Sequence, residues 1–212
     1  MANLTAMFNP ADKTTPGYYG PSQTALLLLD FHSMFVNVVG GPPAREALKV
    51  SATMRGWAKS QSILVIHALN DINTLPFETC KDADKIAGFI TALKSEGGRE
   101  AIEVADDTGE DATFTRRAGH VSALRSPGLE EFLQENGIKS LILAGLSTSG
   151  CVLNTAIAAS GAEYVVSVIS DGCADLVEGK HELVVEKILS DMTYVATATD
   201  FQEGFASAVK AD

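Results

Sequence analysis

Apolar residues come in two rhythms along this chain. Residues 24–29 (Thr-Ala-Leu-Leu-Leu-Leu), 62–69, 140–144 and 164–170 are near-continuous apolar runs of strand length without a polar face, which predicts strands covered on both sides. Residues 44–60 follow Pro42 and Pro43 and space Ala47, Leu48, Met54 and Trp57 at about helical intervals, so a helix is expected there. Further helices are expected over 83–94, from Ser126-Pro127 through Gln134 before Gly137, over 149–159 and over 180–189. Shorter strands are expected at 112–117 and 194–197.

Strands alternating with helices imply right-handed crossovers, hence an α/β fold: a three-layer αβα, mainly parallel, doubly wound, Rossmann-like sheet. Residues 1–22 carry Pro10, Pro16, Gly17, Gly20 and Pro21 among polar neighbours and read as an irregular arm suited to wrapping a neighbour. Residues 23–212 read as a single domain. Ligands of such sheets bind beyond the carboxyl ends of the strands, where Asp30, Arg117 and the loop 145–151 all fall.

Composition narrows the partners. A chain of 212 residues suits one core, and 46% hydrophobic against 20% charged residues is ordinary for a globular protein. Sixteen Lys and Arg against 27 Asp and Glu give a net charge of −11, which opposes binding to nucleic acid. No run approaches the roughly 18 apolar residues of a membrane span, and no basic segment followed by an apolar stretch opens the chain. Cys80, Cys151 and Cys173 form no C-x-x-C pair and no disulfide framework. A cytoplasmic protein acting on a small molecule is expected, without a membrane or nucleic-acid partner.

The segment Gly145-Leu146-Ser147-Thr148-Ser149-Gly150-Cys151-Val152 joins a buried strand to a helix and sets a thiol at the helix start. Unpaired amides and the positive end of the macrodipole there would lower the thiol pKa and could hold an oxyanion. A buried structural cysteine is the plainer alternative. Cys173 is assigned to packing. Asp30 ends a wholly apolar run, where a carboxylate must find a partner or stay protonated, although an aspartate there also suits a turn. Of Arg116 and Arg117, strand alternation lets only one point inward, where a guanidinium could stabilise a thiolate or an anionic substrate. His32 and His120 lie near the rim and, with Phe35, are candidate substrate contacts, or simply core. The four histidines show no metal-binding spacing, so neither a metal nor an organic cofactor is expected.

Three segments together resemble the isochorismatase-like cysteine hydrolases, in the family's order and along nearly the whole chain from Thr24 to Phe201. Leu27-Leu28-Leu29-Asp30-Phe31-His32, with Phe35 after it, is similar to the family's apolar strand ending in Asp-x-Gln, with His32 in place of the glutamine. Ser122-Ala123-Leu124 is similar to the Ser-Ala-Phe segment before a helix, and Gly145 to Val152 matches the nucleophile loop closely. The resemblance implies an isochorismatase-like hydrolase fold and a triad of Asp, Lys and Cys. Asp30 and Cys151 fill two of its places. No lysine fills the third; Arg117 matches it best and Arg116 next. An arginine keeps the positive charge but exchanges no proton near neutral pH, which leaves proton transfer to Asp30. The family also places a cis peptide, here Leu146-Ser147, beside the nucleophile and an oxyanion hole of loop amides near Gly150.

The implied reaction is hydrolysis of an amide or carbamoyl C–N bond through a Cys151 thioester. Vinyl-ether hydrolysis of the isochorismatase type and a ligand-binding homologue without turnover are the alternatives. The family's nicotinamide-hydrolysing members use a metal site of Asp and His residues that is not traceable here. Oligomers are usual in the family, so a homodimer or homotetramer is expected.

Overall fold

The structure, a computed structural model, describes residues 4–209. The first three residues of the expected arm and the last three of the expected domain lie outside the described residues. Helix α1 (Leu4–Met7) and two tight 3-10 turns at Pro16–Tyr18 and Pro21–Gln23 precede the first strand, β1 (Thr24–Leu29). Then follow α2 (Gly41–Ser60), β2 (Leu64–Asp71), α3 (Ala83–Ser95), β3 (Ala112–Arg117), α4 (Leu129–Glu135), β4 (Ser140–Leu146), α5 (Leu153–Gly161) and β5 (Val165–Ala174). Helices α6 (Lys180–Val184) and α7 (Ser190–Met192), joined by a wide turn over Val185–Leu189, lead to β6 (Tyr194–Ala196) and α8 (Ala198–Val209).

All described strand pairs are parallel, in the order β3-β2-β1-β4-β5-β6. The chain builds outward from β1 in one direction and from β4 in the other, so the strand order reverses between those two strands. Their carboxyl ends diverge into a crevice, the place where doubly wound sheets bind ligands. At this seam Gly145 has no room for a side chain: a Cβ there would stand 2.5 Å from the Cβ of Leu29.

The apolar run of β1 is buried on both faces. Leu26 and Leu28 join Met54 of α2 and Phe201 and Phe205 of α8, whereas Ala25, Leu27 and Leu29 join Leu129, Val152 and Ala156 on the opposite side. Alternation of side chains along a strand sends successive residues to opposite layers, and burial of both layers explains why the run lacks polar residues. Helix α8 lies beyond the elements expected from the pattern; it covers the first layer through Phe201 and Phe205, both packed on Trp57.

Part of the arm docks on its own chain. Met7 and Phe8 are buried in the chain's own core, and Phe8 packs edge-on to Phe201 at 5.2 Å. A Cβ on Gly204 would fall 2.1 Å from the Phe8 ring, so the glycine admits the arm onto α8. Beneath α2, the buried His67 of β2 lies between Glu100 at 2.8 Å and Asp111 at 3.3 Å, and Arg55 and Lys59 of α2 pair with Asp111 as well. No helix among the described residues is long and apolar enough to cross a membrane.

Candidate active site

Asp30 leaves β1 with φ 57°, a left-handed conformation that aspartate tolerates better than most residues. Its amide donates to the Ala68 carbonyl of β2 at 3.1 Å, which anchors the turn and directs the carboxylate into the crevice. Arg116 meets it there. Nη1 donates to Oδ1 at 3.1 Å, Nη2 makes a second, shorter bond to Oδ2, and Asn70 Nδ2 donates to Oδ1 at 3.0 Å. The guanidinium is 2% exposed and also donates from Nε to the His120 carbonyl at 2.9 Å. A buried ion pair holds its ground when both partners' remaining polar atoms are satisfied, and these bonds do that.

The structure thus brings Arg116, and not Arg117, to the carboxylate. Arg117 is exposed and donates to the carbonyls of Leu75 and Pro76 at 2.8 and 3.2 Å. Strand parity is the reason. Phe114 and Arg116 stand on one face of β3, while Thr113, Thr115 and Arg117 stand on the exposed face. The apolar residues Ala112 and Phe114 mark the inward parity, and that signal in the sequence points to Arg116.

Cys151 lies in a wide turn, Thr148–Val152, ahead of α5, and the Leu146–Ser147 peptide before it is cis. The thiol is 4% exposed and donates to the Leu146 carbonyl at 3.0 Å. Burial pushes its pKa well above the ordinary thiol value, and the charge and hydrogen bonding of Asp30 push the same way; the Arg116 guanidinium opposes them without prevailing. Burial and the Asp30 carboxylate thus act against the acidification expected of a thiol at a helix start. The turn spends its amides on other acceptors: Gly150 and Val152 donate to the Ser147 carbonyl at 3.1 and 3.3 Å, and Ser149 donates to Asp175 Oδ2 at 2.9 Å. Gly150 accordingly has no free amide for an oxyanion. Cys173, on β5, is buried, and its thiol is pushed up to about 12 by burial.

A cavity of about 480 Å³ holds Asp30, Arg116 and Cys151 together with Asn70, and is walled by Phe77, Cys80, Lys81, Ile86, His120 and Val121. His120 is the one candidate substrate contact that lines it, its ring tilted over Phe77 at 5.1 Å. His32 is buried elsewhere. Its Nδ1 bonds the Gly98 carbonyl at 3.2 Å and its Nε2 accepts from the Asn70 amide at 3.3 Å, which consumes both ring nitrogens in backbone contacts. Phe35 is half-buried against the core and Phe89, away from the cavity. Asn70 carries the same signal as Asp30, a polar residue at the end of an apolar strand, and the loop 72–82 after it carries none. Among the described residues no group of three or more His, Cys, Asp or Glu side chains is placed to hold a metal ion.

An all-parallel sheet of this order, with a carboxylate, a guanidinium and a thiol facing one crevice at its switch point, defines an α/β enzyme architecture. The isochorismatase domain family matches residues 24–206, and the chain belongs to that family of hydrolases. No functionally curated protein matches the chain in sequence. Among solved structures it is similar to an isochorismatase family protein from Burkholderia thailandensis (19% identity, 87% of this chain and 96% of that one, TM-score 0.74). It is also similar to a cysteine hydrolase from Pseudomonas syringae pv. phaseolicola 1448A (16%, 90% and 95%, 0.77). A third is an N-carbamoylsarcosine amidase from Thermoplasma acidophilum (16%, 83% and 96%, 0.64). At these identities the likeness speaks for the fold.

Proposed function

We propose that the protein hydrolyses an amide or carbamoyl C–N bond of a small molecule through a thioester on Cys151. The observation that carries this reading is the one cavity shared by the Cys151 thiol and an Asp30 carboxylate fixed by Arg116 and Asn70. A thiol of raised pKa rests protonated, so it needs a base in place when substrate arrives, and Asp30 is that base. The proton passes from Sγ to Asp30, and sulfur attacks the carbonyl carbon to give a tetrahedral oxyanion. Loop amides other than those of Ser149, Gly150 and Val152 are the candidates to receive it. Asp30 returns the proton to the leaving nitrogen as the C–N bond breaks, leaving the acyl group on sulfur. Asp30 then takes a proton from water, hydroxide adds to the thioester, and the thiolate leaves as thiol with that proton.

Arg116 keeps its proton throughout and acts as a positioning residue, holding Asp30 in register with the thiol. A second reading rests on the thiol's burial: a protein that binds its ligand without turnover has no need of an acidic cysteine.

One experiment separates the two. A panel of small primary amides and N-carbamoyl acids is incubated with the protein, following ammonia release and the intact mass of the chain. Ammonia together with a transient acyl mass increase, both lost in Cys151→Ala, is the expected result. Ligand-induced thermal stabilisation with neither signal across the panel would overturn the hydrolase reading in favour of binding. Isochorismate, included as a vinyl ether, would yield product without an acyl adduct if the chemistry were acid-catalysed ether cleavage.

A further inference from the structure

The turn that carries Cys151 is tied to the segment after β5 by two side chains outside the catalytic cavity. Thr148 is wholly buried, and its Oγ1 lies 2.8 Å from Nδ1 of His181 in α6. Ser149, next in the chain, donates its amide to Asp175 Oδ2 at 2.9 Å. Asp175 also accepts from the Leu176 amide at 2.9 Å, and Lys180 Nζ stands 3.9 Å away. Burial opposes its charge, but the hydrogen bonds of Ser149 and the charge of Lys180 outweigh that and hold the carboxyl below the usual carboxylate range. The Ser149 amide therefore meets an anion near neutral pH, which makes its bond charge-assisted. The turn's other bonds are local. Gly150 and Val152 donate back to the Ser147 carbonyl, and Asn154 of α5 donates to the Gly150 carbonyl, so these shape the turn without fixing where it stands.

A bulge delivers Asp175 to its place. Leu143 of β4 faces Val168 of β5, but Gly145 faces Cys173 and Leu146 faces Ala174. Had the first register run on, Gly145 would face Ser170. Instead Asp175 follows directly on the Leu146–Ala174 pair, beside the start of the turn. Ser51 of α2, wholly buried, donates to the Gly172 carbonyl at 3.2 Å and pins the bulge. Bulges beside active sites re-aim side chains in this way. Asp175 and His181 both line a separate cavity of about 560 Å³, and neither lines the one that holds the thiol. They touch the turn, and not a molecule lying against Cys151.

We infer that Asp175 and His181 are positioning residues for the nucleophile: through the Ser149 amide and the Thr148 hydroxyl they fix the turn that sets Cys151 against Asp30. This rests on the cysteine-hydrolase reading above and adds to it the two groups that hold the thiol's backbone in place.

Alkylation of Cys151 by iodoacetamide reads the position of the turn without turnover. Peptide mass spectrometry gives its rate across a pH series in the unmodified protein, Asp175→Ala, Asp175→Asn, His181→Ala and His181→Asn. Phe8→Ala, which weakens the fold away from the turn, is the control for general loss of stability. Labelling of Cys151 is expected to rise about tenfold in Asp175→Ala and about threefold in His181→Ala at every pH, the loss of a charge-assisted and of a neutral hydrogen bond. Asp175→Asn keeps an acceptor for the Ser149 amide, and His181→Asn a polar atom for the Thr148 hydroxyl, so each should label more slowly than its alanine counterpart. On any amide that the protein hydrolyses, the alanine variants should lose kcat with KM unchanged, since neither side chain meets the substrate. Unaltered or slower labelling overturns the assignment of whichever residue was replaced. An equal rise in Phe8→Ala overturns both, because the effect would then belong to global unfolding, as does a raised KM with kcat intact. Faster labelling in the alanine variants of a protein that hydrolyses no amide would sink the hydrolase reading and leave the clamp on the turn standing.

Discussion

Arg116 reaches Asp30 across 86 residues of sequence and closes both of its terminal nitrogens on the carboxylate, with the guanidinium almost wholly buried. β3 and β1 are not neighbours in the sheet; β2 lies between them, and Arg116 also approaches the Ala68 carbonyl of that strand at 3.5 Å. The pair thus ties three strands together at the rim where the thiol opens. In a site built this way, electrostatics and stability cannot be altered separately.

Removing one member of a buried ion pair strands the other. Arg116→Leu is expected to cost about 3 to 5 kcal/mol in urea denaturation, because it leaves Asp30 without its cation. Arg117→Ala should stay within about 0.5 kcal/mol, since that side chain is exposed and bonds only loop carbonyls. Equal losses for the two variants would contradict the assignment of Arg116 as the inward residue.

Asp30 raises the Cys151 pKa through its charge and hydrogen bonding, so Asp30→Asn should lower that pKa and leave Arg116 free to favour the thiolate. Alkylation of Cys151 by iodoacetamide should then be faster at a given pH than in the unmodified protein, while amide turnover falls by at least about a hundredfold, the typical size of a general-base contribution. The unmodified protein should label slowly at Cys151 near neutral pH. A slower labelling rate in Asp30→Asn would remove Asp30 as the neighbour that sets the thiol.

His67 offers a pH test far from the thiol. Burial opposes its charge, but the hydrogen bond and charge of Glu100, followed by those of Asp111, outweigh that, and its pKa sits above the usual 6.5. A folded pKa raised above the unfolded one contributes stability that is complete below the unfolded value and is lost as pH rises through the folded value. Unfolding free energy should therefore decline above about pH 6.5, and His67→Leu should remove that decline. A profile that keeps the same slope in the variant would assign the effect to other groups.

The docking of the arm rests on one aromatic contact. Phe8→Ala empties a buried site against Phe201 and Gly204 and should cost about 3 to 5 kcal/mol, the usual range for a core phenylalanine. Limited proteolysis should then cut within residues 9–20 at low protease concentration. An arm that remains resistant in the variant would mean that other contacts hold it.

The layered architecture was legible because its strands advertise themselves. A six-residue run such as that of β1 has no polar position to spare for solvent, and the bounds of β1 and β3 follow the residue pattern without adjustment. The helical spacing of Phe201, Phe205 and Ala208 marks α8 equally well to a reading that continues past β6. Asp30 and Cys151 were visible as candidates for local reasons, the first standing where an apolar strand stops and the second in the loop that leads from a buried strand into a helix. The Lys81 loop was not visible, because nothing in the sequence 72–82 states which crevice it covers.

By itself, then, the amino-acid sequence determined the alternation of buried strands and helices, and with it the rim on which chemistry could sit, since hydrophobic periodicity is a local property of neighbouring residues. Tertiary structure alone decided the thiol's burial and the removal of His32 and Phe35 from the cavity. It also paired Asp30 with Arg116, although the parity of β3 hinted at that. Burial depth and electrostatic neighbours depend on strand order and on which distant segments cover a site. Those are properties of the packed chain, which no short stretch of sequence contains.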